Sequence, residues 1–187
     1  AGIGREVVNS VNIPVGINIL RNDAQAALAV ATAIEAQFIR VNVHTNVVVA
    51  DQGLIQGQAF STLRLRQQLQ SDVLIFADVA VKHAAPLADR GLAIETQDIT
   101  ERGLADAIIV SGTRTGETTS AKDLALVQQN THLPVLIGSG VTPGNIELLS
   151  RANAFIVGSY FKKEGKVMNA IDKNRIVNLI DRVRSLA

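Results

Sequence analysis

No cysteine occurs among the 187 residues. That excludes a disulfide frame, a thiolate zinc site and a Cys nucleophile, and it is compatible with a reducing compartment. Aromatic residues make up only 3%, so a base-stacking platform for nucleic acid is not expected. Neither sign of charge prevails: 18 Lys and Arg against 17 Asp and Glu give a formal net charge of +1. There is thus no electrostatic case for nucleic acid or an acidic membrane surface. No apolar run reaches the roughly 18 residues that a spanning helix needs. The opening AGIGREVVNS does not read as a secretory leader, because Glu6 and its polar neighbours interrupt any apolar core.

What is present is a repeat. Val- and Ile-rich runs occur at 14–20, 38–43, 73–79, 107–112, 134–140 and 154–160. They do not alternate cleanly, as expected for strands covered on both faces. Helical patterns lie between them, at 23–36, 56–70, 95–105, 121–130 and 143–152, and a last one at 173–186 closes the chain. Asn22 or Asp23 is the expected N-cap of the first of these. Strand-helix alternation implies parallel pairing through crossovers, in a barrel or a doubly wound sheet. No linker rich in Pro, Gly or Ser interrupts the chain, so residues 1–187 are expected to form a single domain.

Polar residues gather where each strand ends: Asn18, Arg40, Asn42, Asp78, Ser111, Ser139 and Ser159. In α/β folds that edge of the sheet binds ligands. Arg40 and Asn42 lie within a strand, where burial demands a partner or a ligand. PVLIGSGVTPGN (134–145) runs a strand into Gly138, Ser139 and Gly140, with Thr142 placed to cap a helix and Pro143 to open it. Free N–H groups and a positive helix end would favour an anion. VGSY places Gly158 and Ser159 at the next strand end, and such a pair resembles the phosphate cradle of many (β/α)8 barrels. The same residues also fit two tight turns with capped helices.

ADVAVKHAAP (77–86) brings a carboxylate, an amine and an imidazole together as Asp78, Lys82 and His83. They fit acid, base or clamp roles. They fit equally an Asp-Lys ion pair ordering a loop, with His83 in the following helix. His44, His83 and His132 lack ligand spacing, so no metal site is expected. Val47 to Ala50 fits a hairpin arm or a packed loop over the barrel mouth, with a lid as the functional alternative.

Seven blocks taken together resemble the BtpA family: GINILRNDAQAALAVA, AQFIRVNV, DQGLIQGQA, LRLRQQL, ADVAVKHAAPL, ERGLADAIIVSG and IGSGVTPGNI. The resemblance runs from about Pro14 to the C-terminus. It implies an α/β fold, a TIM-type (β/α)8 phosphate-binding barrel, of which about six of eight βα units are visible here. In cyanobacteria it implies a factor supporting photosystem I biogenesis, with photosystem I proteins or an assembly complex as partners. The location it implies is cytoplasmic or peripheral at the thylakoid membrane. Members without photosynthesis imply a more general activity. No cofactor and no catalytic residue carries over. Members open with two βα units, the first carrying a HLLPLPGSP-like segment, and neither is seen here. The expectation is a fragment, a missing partner chain, or self-association that covers open barrel edges. Three functions stay open: a binding factor for photosystem I biogenesis, an enzyme acting on a phosphorylated sugar or nucleoside, and a structural subunit of a larger complex.

Overall fold

A computed structural model describes residues 1–80, 84–111 and 119–186. Six parallel strands form one sheet: β1 (Gly16–Ile17), β2 (Phe38–Val41), β5 (Leu74–Val79), β7 (Ala107–Val110), β8 (Val135–Ile137) and β9 (Ala154–Phe155). They stand side by side in chain order. A doubly wound sheet reverses its strand order at a switch point, whereas this one never does, so it is the arc of a barrel. Each of the six runs read from the sequence contains one of these strands.

The helices α1 (Gly2–Ser10), α2 (Ala24–Ile34), α3 (Ala59–Gln68), α4 (Leu92–Gln97), α5 (Ala121–Gln129) and α6 (Lys173–Arg184) connect and flank the sheet. Asp23 is the N-cap of α2 and accepts from the Ala26 N–H at 2.9 Å, a contact worth about 1 kcal/mol. Asn22 instead bridges to the loop after β2, bonding both the N–H and the C=O of Val43. The small residues Ala27 and Ala31 let α2 pack closely on the sheet. α4 runs on through a wider turn at Asp98–Arg102.

Period-two alternation divides the strands. Ile39, Ile75, Ile108 and Ile137 are each 0% exposed and fill the layer between sheet and helices. Burying each is worth roughly 1.5–3 kcal/mol. The opposite face carries Phe38 stacked on Phe76, then Ile109 and Leu136. Towards the strand C-termini that inner face turns polar.

A second, antiparallel sheet sits at that end. β3 (Val47–Ala50) and β4 (Gly53–Gln56) form a hairpin turned by Asp51 and Gln52, and β6 (Ala84–Pro86) pairs with the other side of β3. Val47–Ala50 is therefore a hairpin arm in a three-stranded sheet. Among the described residues after Asp78, Ala84–Pro86 form a strand. The segment after Gly140 also differs from expectation. Its regular part is the single 3-10 turn Ile146–Leu149, which has no side-chain cap from Thr142 among the described residues, not a helix over 143–152. Pro143, Gly144 and Asn145 are turn formers. Asn145 fixes the turn by accepting from the Thr142 N–H and donating to the Gly140 C=O. The barrel edge thus has no helix dipole behind the Gly-Ser-Gly segment.

Candidate functional site

The inner face of β2, β5 and β7 carries the centre of the site. Register places Arg40 opposite Phe76 on β5, and Asp78 opposite Ile109 on β7. Arg40 reaches along the sheet and grips Asp78 side-on, Nε to Oδ1 at 3.0 Å and Nη2 to Oδ2 at 2.9 Å. Asn42 Nδ2 donates to the same Oδ2 at 2.7 Å. Asn18, just past β1, donates to the Arg40 C=O at 2.9 Å and to Asn42 Oδ1 at 3.2 Å. The Asp78 side chain is 1% exposed and that of Arg40 22%. Charge-assisted bidentate pairing offsets the cost of that burial. It also leaves three of the five guanidinium N–H groups for other acceptors.

Two cavities lie beside this pair, one lined by Arg40 and the other by Asp78. One, of about 360 Å3, lies between the ends of β8 and β9. Gly138, Ser139, Gly140, Gly158 and Ser159 line it, together with Arg40. The N–H groups of Gly140 and Gly158 have no protein acceptor among the described residues. Gly140 has φ +71°, a left-handed conformation that glycine adopts without strain. Arg175, from the first turn of α6, also lines this cavity. Its Nε donates to the Tyr160 C=O at 2.5 Å and its guanidinium stacks 4.3 Å over the Tyr160 ring. Among the described residues no carboxylate pairs with Arg175. This cavity thus offers backbone donors and an unneutralised cation.

The second cavity, of about 510 Å3, lies under the antiparallel sheet, with Val48 and Pro86 in its roof. Asn42, Asp78 and Ser111 line its side towards the first cavity. Ser111 is 8% exposed, and its Oγ has no hydrogen-bond partner among the described residues. That Oγ lies 2.3 Å from where a Cβ on Gly138 would stand, and Arg40 Nη2 lies 3.4 Å from the same point. With Ile109 Cγ2 at 2.6 Å as well, Gly138, Ser111 and Ile109 are packed in contact between the two cavities and leave no room for a side chain at 138. Asp89, Glu95 and Asp123 line the chamber further out. Burial, opposed by the nearby Arg90, pushes the Glu95 carboxyl above its ordinary range.

The structure thus brings together Asn18, Arg40, Asn42, Asp78, Ser111 and Gly138, and places Ser139, Gly140, Gly158 and Ser159 beside them. Lys82 and His83 lie outside the described residues. Arg175 and Tyr160 escaped the sequence reading, because α6 was legible only through its apolar spacing. Asp89, Glu95 and Asp123 escaped it too; their signal was acid placed after the same strand ends. His44 is not part of the site. It is 1% exposed, and its Nε2 donates to the Gly103 C=O at 2.8 Å. Burial holds its pKa below the ordinary 6.5. Among the described residues no three His, Asp or Glu side chains gather to hold a metal ion, and no helix is long and apolar enough to cross a membrane.

The BtpA family model matches residues 1–185. The chain belongs to the BtpA family. It is 50% identical over 175 residues to the photosystem I biogenesis protein BtpA of Synechocystis, covering 92% of this chain and 61% of that protein. An uncharacterized protein of Methanocaldococcus jannaschii is 43% identical over 188 residues, covering 98% of this chain and 71% of its own. This BtpA-family chain therefore spans less than two thirds of its cyanobacterial relative. Among solved structures, N-(5′-phosphoribosyl)anthranilate isomerase of Pyrococcus furiosus superposes with a TM-score of 0.64 at 14% identity, over 97% of this chain and 79% of that one. Thiamine phosphate pyrophosphorylase of the same organism gives 0.61 at 12% identity, over 99% and 74%. At such identities the likeness shows the fold: a TIM-type α/β barrel.

Proposed function

We propose that this BtpA-family barrel binds a phosphorylated small molecule, with its phosphate between the β8 and β9 ends. The observation that carries the reading is Arg175. Its guanidinium lines the Gly-Ser cavity, is fixed by the Tyr160 carbonyl and ring, and has no carboxylate partner among the described residues. Gly138, Ser139, Gly140, Gly158 and Ser159 would surround the phosphate with backbone and hydroxyl donors, and Arg40 would add its remaining N–H groups. Asn18, Asn42 and Asp78 hold Arg40 in place; Asp78 is thereby a positioning residue, its carboxylate occupied by Arg40 and Asn42. The test is thermal unfolding with inorganic phosphate and a panel of phosphate monoesters. A ligand at one hundred times its Kd stabilises by about 2.7 kcal/mol. Failure of every phosphorylated compound to raise Tm would end this reading.

A second reading concerns the cell. The 50% identity to the Synechocystis protein favours a role in photosystem I biogenesis wherever the host has that photosystem. Photosystem I proteins or an assembly complex would then be partners, and association would occur at the thylakoid surface. The archaeal relative at 43% identity favours a shared small-molecule activity beneath that role. Deletion in a photosynthetic host tests it, and unchanged photosystem I content would sink it. Enzymatic turnover would require a proton-transfer group beyond Asp78. Lys82 and His83 are the candidates, and substitution of either would abolish turnover while sparing phosphate binding.

A further inference from the structure

The arc of the barrel ends on two open edges. β1 pairs with β2 and β9 with β8, and among the described residues no strand pairs with the outer side of either. Each of these edge strands is two residues long, whereas β5 inside the arc has six. The helices next to the edges are half covered. α1, which leads into β1, turns Gly4 and Val8 towards α2: a Cβ on Gly4 would stand 2.6 Å from Ile34 Cδ1, and Val8 joins the apolar cluster there. Its neighbouring stripe, Ile3 and Val7 one turn apart, is exposed. α6, which follows β9, sets Leu179 and Val183 into the core and leaves Val177 and Ile180 exposed. Two unpaired parallel edges between two bare apolar helix faces make one continuous surface that a parallel fold buries.

The size of what fits follows from closure. A parallel barrel whose interior side chains just fill it has eight strands, and the arc supplies six. The two solved barrels are matched over 79% and 74% of their chains, which leaves about a quarter or less of each unmatched. The 188 residues matched in the Methanocaldococcus relative are 71% of it, leaving about 75 outside. At roughly 31 residues per βα unit, two units need roughly 62. Since α1 already stands before β1 and α6 after β9, the gap lacks two strands and the helix between them. We infer that this gap is the docking surface for one right-handed βαβ unit, and that its occupant is the segment the longer relatives carry outside the match. One strand pairs with β9 and the other with β1, and the crossover helix lies between α1 and α6, over Ile3, Val7, Val177 and Ile180. A second copy of this chain does not fit: two six-stranded arcs joined edge to edge give a ring too wide for side chains to fill. This goes beyond the phosphate reading and stands without it.

The test co-expresses the full chain with the unmatched residues of the Methanocaldococcus relative as a separate polypeptide. Size-exclusion chromatography with light scattering should show a one-to-one complex. Amide exchange at Gly16–Ile17 and Ala154–Phe155 should slow in the complex, because a docked strand pairs with each edge. Val7→Lys and Ile180→Lys lie at positions exposed in the chain alone, so each should leave its unfolding midpoint unchanged. Each should weaken the complex at least about tenfold, since docking would bury the ammonium. Absence of a complex, or a homodimer that excludes the segment, overturns the inference. So does a complex indifferent to both substitutions, or one that leaves exchange at the two edge strands unchanged, because the segment then sits elsewhere.

Discussion

Arg40 and Asp78 are diagonal neighbours on adjacent strands, joined by two hydrogen bonds of 3.0 and 2.9 Å, with the carboxylate far more deeply buried than the guanidinium. That asymmetry decides what each substitution costs. Arg40→Met removes the guanidinium from a carboxylate side chain that is 1% exposed, and should destabilise by about 3–5 kcal/mol. Asp78→Asn keeps shape and an acceptor and should cost less. The double variant Arg40→Met, Asp78→Leu should recover part of the loss, since an apolar pair has no desolvation penalty. Urea unfolding measures all three, and a double variant no better than the sum of its parts would refute this account.

Gly138 should not tolerate alanine. The added Cβ would stand 2.3 Å from Ser111 Oγ and 2.6 Å from Ile109 Cγ2. The serine can rotate, but the β-branched isoleucine is stiff. Gly138→Ala should therefore destabilise by about 1–3 kcal/mol, and adding Ser111→Ala should restore little of it. Near-complete rescue by Ser111→Ala would place the clash on the serine alone.

Arg175 should govern anion affinity without governing the fold. It lies in the first turn of α6 and makes no ion pair among the described residues. Arg175→Ala should weaken phosphate binding by tenfold or more, at the scale of about 1.5–3 kcal/mol for a hydrogen bond to a charged group. Arg175→Lys should recover only part, because an ammonium cannot stack on Tyr160 and donate in a plane at once. Full affinity in Arg175→Ala would remove the residue from the site.

Stability should fall in mild acid because of His44. Its folded pKa lies below 6.5 through burial, so the unfolded chain takes up the proton first. Above pH 6.5 the residue contributes no slope. Below it, stability declines by up to roughly 1.4 kcal/mol per pH unit until the folded pKa is reached. Glu95 acts in the opposite sense: its raised folded pKa adds stability that is complete below 4.5 and lost as pH rises through the folded value. Denaturant midpoints from neutral to acid pH in the parent, His44→Gln and Glu95→Gln separate the two. A parent profile matched by His44→Gln would clear the histidine.

Much of this architecture was legible in the chain. The six apolar runs mark the strands because burial on both faces demands continuous Val and Ile. Arg40, Asn42 and Asp78 stood out because charge within a buried strand needs a partner. Periodicity was misleading after Gly140, where 143–152 looked helical. Pro143-Gly144-Asn145 there form a turn held by the Asn145 amide. Arg175 left no local signal, since nothing in KNRIVNLIDRVRSL separates it from a solvated helix arginine.

By itself the sequence determined the succession of strands and helices along the chain, the parallel direction of the strands, their polar C-terminal ends and the two Gly-Ser strand ends. These are local properties, set by side-chain period, turn chemistry and the cost of burying charge. Only the tertiary structure decided that Arg40 is neutralised by Asp78 while Arg175 has no carboxylate partner among the described residues, that Ser111 packs on Gly138, and that Glu95 and Asp123 line one chamber. Those relations join residues from different βα units. Electrostatics and packing act through space, and the spacing between residues along the chain does not encode it.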